Sequence, residues 1–227
     1  SFATQIKLSL LISALLTAVS AALLPQLLAL LHITPAHGEV YSAAYSYCLV
    51  IFLGIFTQIG YNLICGILRA LGDSFSSLVF LLLSTVLNVG LDLLFLIPLR
   101  MGPMGAAIAT VIAQAVSLLA GIVYTLRRYP ALRPQRADFR PDMKLAAEHL
   151  RQGIPLGLQF SILAIGIIVM QGAVVKFDLT PAGAMAAGAP AQNGFGAANK
   201  LLKFLMAAYT GLGSGLLGYN AQNHGAG

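Results

Sequence analysis

Asp92 is the residue of this chain best placed to do chemistry. It sits within residues 77–98, a run that is otherwise almost wholly apolar, and Asn88 precedes it by four residues. On a helix that spacing stacks the two side chains on one face. A carboxylate inside a lipid-spanning helix is costly, so it marks a candidate functional group unless a partner charge explains it. Carboxylate, amide and hydroxyl oxygens together can coordinate a hard cation or hold a proton in a hydrogen-bonded network. Thr110 is the hydroxyl that can join them. Its segment opens with Gly105, Ala106, Ala107 and Ala109, and such small residues let two helix backbones approach closely.

The elements that must carry these residues are membrane helices. Of 227 residues, 58% are hydrophobic and 9% charged, and the mean hydropathy is +0.85, whereas a soluble chain carries about a quarter charged residues. Apolar runs of about 20 residues, long enough to cross the hydrocarbon core, recur along the chain. Six spans are expected. The first runs to about residue 31 and contains Pro25, a candidate kink. The others cover about 40–68, 77–98, 104–126 and 154–177, with a short polar turn at 69–77 that contains Gly72 and Asp73, and a last one starts between 185 and 195 and ends near 219. The first run is too long for a secretory signal peptide. The fold class is therefore all-α, a polytopic transmembrane helical bundle.

Polar residues inside the spans are the next candidates. Gln58 and Asn62 are four apart in the second, Gln159 and Gln171 lie in the fifth, and Lys200 and Lys203 share a face of the sixth. Such groups serve either helix–helix hydrogen bonding or the lining of a substrate cavity. Residues 127–152 form the only long hydrophilic stretch, with Arg127, Arg128, Arg133, Arg136, Arg140, Lys144 and Arg151. It reads as a linker against anionic lipid, and Pro141 could open a short surface helix ending near Gly153. Alternating spans place Lys7, Arg69 and the seven linker cations on one side, and Arg100 and Lys176 on the other. Nine against two assigns the first side to the cytoplasm.

Composition also excludes classes. The net charge of +6 comes from cations flanking apolar segments, not from an aromatic-interleaved surface, so no nucleic acid is expected. No HExxH, CxxC, GxSxG or phosphate-binding loop occurs. The four histidines, His32, His37, His149 and His224, fall in expected loops or ends. An enzyme is not expected.

Three ordered motifs carry a resemblance: GILRALGDS at 66–74, LNVGLDLLF at 87–95 and GAAIAT at 105–110, continued by GIP at 153–155 and AQNHGAG at 221–227. Together they resemble the multidrug and toxic compound extrusion (MATE) family, whose members have twelve membrane helices in two six-helix lobes. The chain resembles helices three to eight. The resemblance implies that residues 1–126 are part of the N-terminal lobe with four membrane helices, 127–152 a basic cytoplasmic linker, and 153–227 the start of the C-terminal lobe with two. It also implies a cation site in the first lobe, with an Asn and an Asp one turn apart on one helix, a Thr on the next and a further Asp on the family's first helix; the first three match Asn88, Asp92 and Thr110, and the fourth belongs to a helix outside the stretch that the chain resembles. Some branches carry a Glu about two turns after the Gly-x-Pro. Here Ile162, Leu163 and Ala164 stand in that region, which favours coupling through the first lobe.

The function so implied is a secondary active multidrug efflux antiporter, exporting organic cations or drugs in exchange for protons or sodium. The substrate cavity would include Gln58, Asn62, Gln159 and Gln171. No cofactor or metal centre is expected, save sodium as a coupling ion at Asp92. The partners expected are membrane lipid and a drug-like small molecule, with a monomer when full length, multi-pass in the plasma membrane of a prokaryote. The alternative is a flippase for lipid-linked precursors or polysaccharide, which would want cationic residues in its cavity, as Lys200 and Lys203 could supply.

Overall fold

Lipid offers no partner for a free backbone N–H or C=O, so apolar runs of this length fold as helices. The computed structural model is all-helical over the residues it describes, which are 2–30, 33, 35–133, 143–178 and 188–225. Among the described residues seven α-helices follow one another: α1 (Phe2–Leu30), α2 (Glu39–Leu53), α3 (Ile55–Ala70), α4 (Ser74–Leu96), α5 (Gly102–Arg128), α6 (Met143–Phe177) and α7 (Pro190–Gly225). Four of them, α1, α4, α5 and α6, are each long and apolar enough to cross a membrane. α2 and α3, bent by 44° at Gly54, pass the same test as a pair and bring the number of candidate spans to five if they are counted as one.

Three details differ from the sequence expectation. The second span is broken at Gly54. The sixth expected span, α7, is helical but is not among the candidate spans found among the described residues, since glycines, Asn199, Lys200 and Lys203 dilute its apolar character. The short surface helix ending near Gly153 is not seen. Pro141 lies outside the described residues, and α6 continues from Met143 straight through Gly153 and Pro155. A helix-interior proline is tolerated in a membrane helix, where continuing the backbone ladder costs less than exposing it to lipid.

The chain divides into two units, residues 1–146 and 147–227. In the first, α5 is the central helix and packs against α2, α3 and most extensively α4. Its inner face is built of small residues, with Ala107, Ala109 and Ala113 almost fully buried. A cluster of Tyr61, Ile64, Cys65 and Leu68 from α3 with Phe80 from α4 and Leu118 from α5 forms the core. The seam between α3 and α5 depends on glycines. A Cβ on Gly60 would fall 2.8 Å from Leu118, and one on Gly121 2.8 Å from Ile64. These pairs advance along both helices in the same direction, so α3 and α5 run parallel. Ser76 meets Tyr124 and Asn88 meets Thr110, so α4 runs antiparallel to α5. In the second unit, Asp178 at the end of α6 is fully buried and accepts the Ala191 and Gln192 backbone N–H groups, each at 2.8 Å. That satisfies donors left bare at the start of α7 and sets a negative charge at its positive end.

The break at Gly54 has a local cause. Its φ of −80° and ψ of −4° are ordinary, so the glycine is not needed for conformation. It is needed for room, because a Cβ there would overlap the Val111 side chain of α5. Carbonyls loosened by the break find side-chain donors: Thr17 of α1 donates to the Phe52 carbonyl at 3.1 Å and Thr57 to the Gly54 carbonyl at 2.8 Å.

Gly54→Ala should therefore destabilise by about 1–3 kcal/mol, since the branched Val111 cannot swing clear without straining the seam. Adding Val111→Ala should restore much of the loss. Gly90→Ala, where a Cβ meets nothing within 4 Å, should be neutral or stabilising by up to about 1 kcal/mol. Thermal unfolding of the three variants in detergent checks this, and equal losses for Gly54→Ala and Gly90→Ala would sink the steric account.

Candidate functional site

The turn between α4 and α5 sets the register of the candidate site. Arg100 and Gly102 adopt φ values of 50° and 62°, and the Met101 N–H returns to the Phe95 carbonyl at 2.9 Å. Gly102 takes that conformation freely, and Gly105 then lets α5 lie close: a Cβ there would be 2.8 Å from Met101 Cβ and 3.1 Å from Phe95 Cβ. Below this turn Asn88 Nδ2 donates to Thr110 Oγ1 at 3.2 Å. Thr110 in turn donates to the Ala106 carbonyl at 3.0 Å, so its hydroxyl orientation is fixed, with its lone pairs facing Asn88. Asp92 lies one turn beyond Asn88 and is half-buried. Its Oδ1 is buried without a hydrogen-bond partner among the described residues. Buried polar atoms are nearly always satisfied, so this oxygen is suited to meeting a proton or a hard cation. The structure joins Asn88 and Thr110 directly and stacks Asp92 next to them.

Of the four expected cavity residues, two belong to each unit. Gln58 and Asn62 lie on an exposed face of α3, where Asn62 Nδ2 donates to the Gln58 backbone carbonyl at 2.9 Å. Gln159 and Gln171 belong to the second unit, exposed on α6, and twelve residues of helix set them roughly 18 Å apart along its axis. Asn62 borders a cavity of about 250 Å³, with Tyr61, Cys65, Arg69 and Ser77. A more apolar cavity of about 210 Å³ lies between α1, α3 and α5, lined by Leu10, Ser13, Phe56, Leu118 and Thr125 among others. Lys200 and Lys203 are exposed on α7.

A second polar cluster escaped the sequence reading, which saw only a short turn at 69–77. Leu71, Gly72 and Asp73 close α3 and open α4 in one step. Gly72, at φ 85°, donates its N–H to the Arg69 carbonyl at 3.0 Å, and the Asp73 N–H reaches the Leu68 carbonyl at 2.8 Å, a glycine-terminated helix end. Asp73 Oδ1 then caps α4 by accepting the Ser76 N–H at 3.1 Å. Asp73 Oδ2 accepts the hydroxyls of Tyr124 at 2.8 Å and Tyr129 at 3.3 Å, both from the end of α5. Ser76 Oγ donates to the Tyr124 oxygen at 2.8 Å, and Arg69 donates to Ser77 at 3.1 Å. Partial loss of hydration pushes the Asp73 carboxyl up, but the hydrogen bonds from Ser76, Tyr124 and Tyr129 outweigh it and hold the group below its ordinary 3.8. An Asp directly ahead of an apolar helical run is an N-cap signal. The tyrosine partners lie some fifty residues on and carry no local signal.

Comparison with known proteins supplies independent findings. The MatE family model matches residues 1–94, a range that includes Asn88 and Asp92. The chain is 32% identical over 184 residues, 81% of its own length and 39% of the relative's, to "Probable multidrug resistance protein YpnP" of Bacillus subtilis (strain 168). It is 27% identical over 139 residues, 61% of this chain and 31% of the relative, to "Multidrug export protein MepA" of Staphylococcus saprophyticus. Among solved structures it matches "Inward-facing conformation of a multidrug resistance MATE family transporter of the MOP superfamily", with a TM-score of 0.73 and 25% identity, over 90% of this chain and 44% of that one. The chain spans less than half the length of each of these proteins.

The Asp73 cluster yields a prediction with a sign. Asp73→Ala should cost about 1–2 kcal/mol through the lost cap. Asp73→Asn should cost less, because asparagine also caps but offers a weaker acceptor to the tyrosines. The folded carboxyl titrates lower than the unfolded one, so its contribution is complete above the ordinary value of 3.8 and fades as pH falls through the depressed folded value. Melting profiles across the acid range should show that this part of the acid sensitivity is absent in Asp73→Asn. An acid limb identical to that of the unsubstituted protein would overturn the assignment.

Proposed function

We propose that this chain, which belongs to the multidrug and toxic compound extrusion (MATE) family, forms part of a membrane antiporter that expels drug-like organic cations in exchange for protons or sodium. It is a membrane transporter segment, and its relatives are named for multidrug resistance and export. The observation that carries the coupling assignment is the buried, unpartnered Asp92 oxygen, one turn from a hydrogen bond that ties α4 to α5.

In this reading Asp92 takes up the proton or sodium ion, Asn88 supplies an amide oxygen and Thr110 a hydroxyl oxygen. Neutralising a carboxylate between two packed helices removes the cost of its charge in an apolar setting, and so favours a different packing of α4 on α5. Drug is expelled because the two packings bind it unequally; an equilibrium shifts only through differential affinity. The arrangement of twelve helices in two lobes, of which this chain supplies the third to the eighth, belongs to this proposal. So do the cytoplasmic placement of the 127–152 linker, the monomeric state and the plasma membrane of a prokaryote as the site of action. The Lys/Arg asymmetry supports the orientation. Gln58, Asn62, Gln159 and Gln171 remain proposed cavity residues. The flippase reading has no specific observation in its favour.

Two experiments test the proposal in the full-length protein. Cysteines introduced at positions 36 and 135 should label from opposite faces of the membrane, and labelling from one face would refute the topology. In proteoliposomes, Asp92→Asn should reduce ion-driven drug efflux to background while leaving the thermal transition in place. Thr110→Ala and Asn88→Ala, each removing a hydrogen bond worth about 1 kcal/mol, should weaken efflux about fivefold, and Thr110→Ser should retain it. Wild-type uphill export by Asp92→Asn would rule the mechanism out.

A further inference from the structure

One feature at the other end of α5 takes no part in ion coupling. An open groove of about 720 Å³ runs between α4 and α5, floored by Phe80, Leu119, Val123 and Tyr124, with Arg127 and Arg128 at its mouth. Its apolar walls face outward: Leu119 is 62% and Val123 48% exposed. Its shape is held in place, because Phe80 packs edge-on against Tyr124 with ring centroids 5.7 Å apart and the Tyr124 hydroxyl is fixed on Asp73 and Ser76. Both guanidinium groups are exposed. Arg128 lies over the Tyr129 ring, 5.9 Å from its centroid, and Arg127 has no hydrogen-bond or ion-pair partner among the described residues. The Asp73 carboxylate is already engaged by the Ser76 N–H and two tyrosine hydroxyls.

We infer that this groove is a binding site for one anionic phospholipid. An acyl chain lies along Phe80, Leu119 and Val123, and the phosphate sits between Arg127 and Arg128. Charge complementarity selects this occupant. Two neighbouring guanidiniums, neither paired with an acid among the described residues, suit a phosphate diester, and basic pockets between membrane helices are known to hold anionic headgroups. The apolar floor requires a chain as well as a charge, so an isolated anion fills only half of the site. A cationic drug is repelled by the mouth. The site is distinct from the proposed coupling site: seventeen residues of α5 separate Thr110 from Arg127, roughly 26 Å along the helix axis. The inference rests on the chain spanning a membrane and is independent of the role of Asp92.

The test uses the full-length protein, delipidated in detergent and offered equal amounts of phosphatidylglycerol and phosphatidylcholine, with native mass spectrometry reading the retained lipid. One phosphatidylglycerol should be retained in preference to phosphatidylcholine. Arg127→Gln with Arg128→Gln should weaken that retention roughly 30-fold, about fivefold for each charge. Val123→Trp, which fills the groove and keeps both charges, should also weaken it. Lys144→Gln with Arg151→Gln should leave it unchanged, which separates a built site from diffuse attraction to a basic surface. Equal retention of the two lipids by the unsubstituted protein would overturn the inference, as would full retention in the arginine double variant or in Val123→Trp, or an equal loss in the Lys144/Arg151 variant. Should the arginine double variant fail to fold, Val123→Trp against the Lys144/Arg151 variant decides the matter alone.

Discussion

Close backbone approach onto α5 is the constraint on which the first unit depends. In lipid there is little hydrophobic gain from bringing two apolar helices together, so association rests on van der Waals contact and on hydrogen bonds across the seam. Both need short distances, and short distances need small residues. Ala107, Ala109 and Ala113 are almost fully buried on α5, Gly105 admits the α4 turn, and Gly54, Gly60 and Gly121 admit Val111, Leu118 and Ile64. Without that proximity Asn88 could not reach Thr110, nor Ser76 reach Tyr124. The polar chemistry of the unit is thus a consequence of where its smallest side chains sit.

Two polar clusters result, and they differ in how completely they are satisfied. Around Asp73, at the junction of α3 and α4, each carboxylate oxygen has donors and the charge is stabilised. Around Asp92, near the far end of α4, one oxygen is buried with no partner. The first arrangement suits a fixed joint, since removing any donor raises the energy of the only state it favours. The second suits a group whose charge state changes, since its lowest-energy form depends on what it binds.

Much of this was legible in the sequence because the membrane restricts the choices. Long apolar runs must be helical, and a four-residue step from Asn88 to Asp92 must share a face. The small-residue start of α5 correctly brought Thr110 to α4. What failed to show had physical reasons. The break at Gly54 lies in uniformly apolar sequence, and only the bulk of Val111, over fifty residues away, makes a glycine necessary there. The continuation of α6 through Gly153 and Pro155 runs against soluble-protein signals that carry less weight in lipid. Asp73 read as a turn residue because two of its three partners, Tyr124 and Tyr129, come from the far end of another helix.

The tether at Asp73 also fixes how α4 can move. Asp73 and Asp92 are nineteen residues apart, roughly 28 Å along a helix, close to the thickness of the hydrocarbon core. One end of this rod is pinned by the Asp73 hydrogen bonds to Tyr124 and Tyr129, and the other by the short turn into α5, where the Met101 N–H returns to the Phe95 carbonyl. With both ends fastened, α4 cannot swing away from α5. The motion left to it is a roll about its own axis, which turns the Asp92 face toward or away from α5 while both joints stay in place.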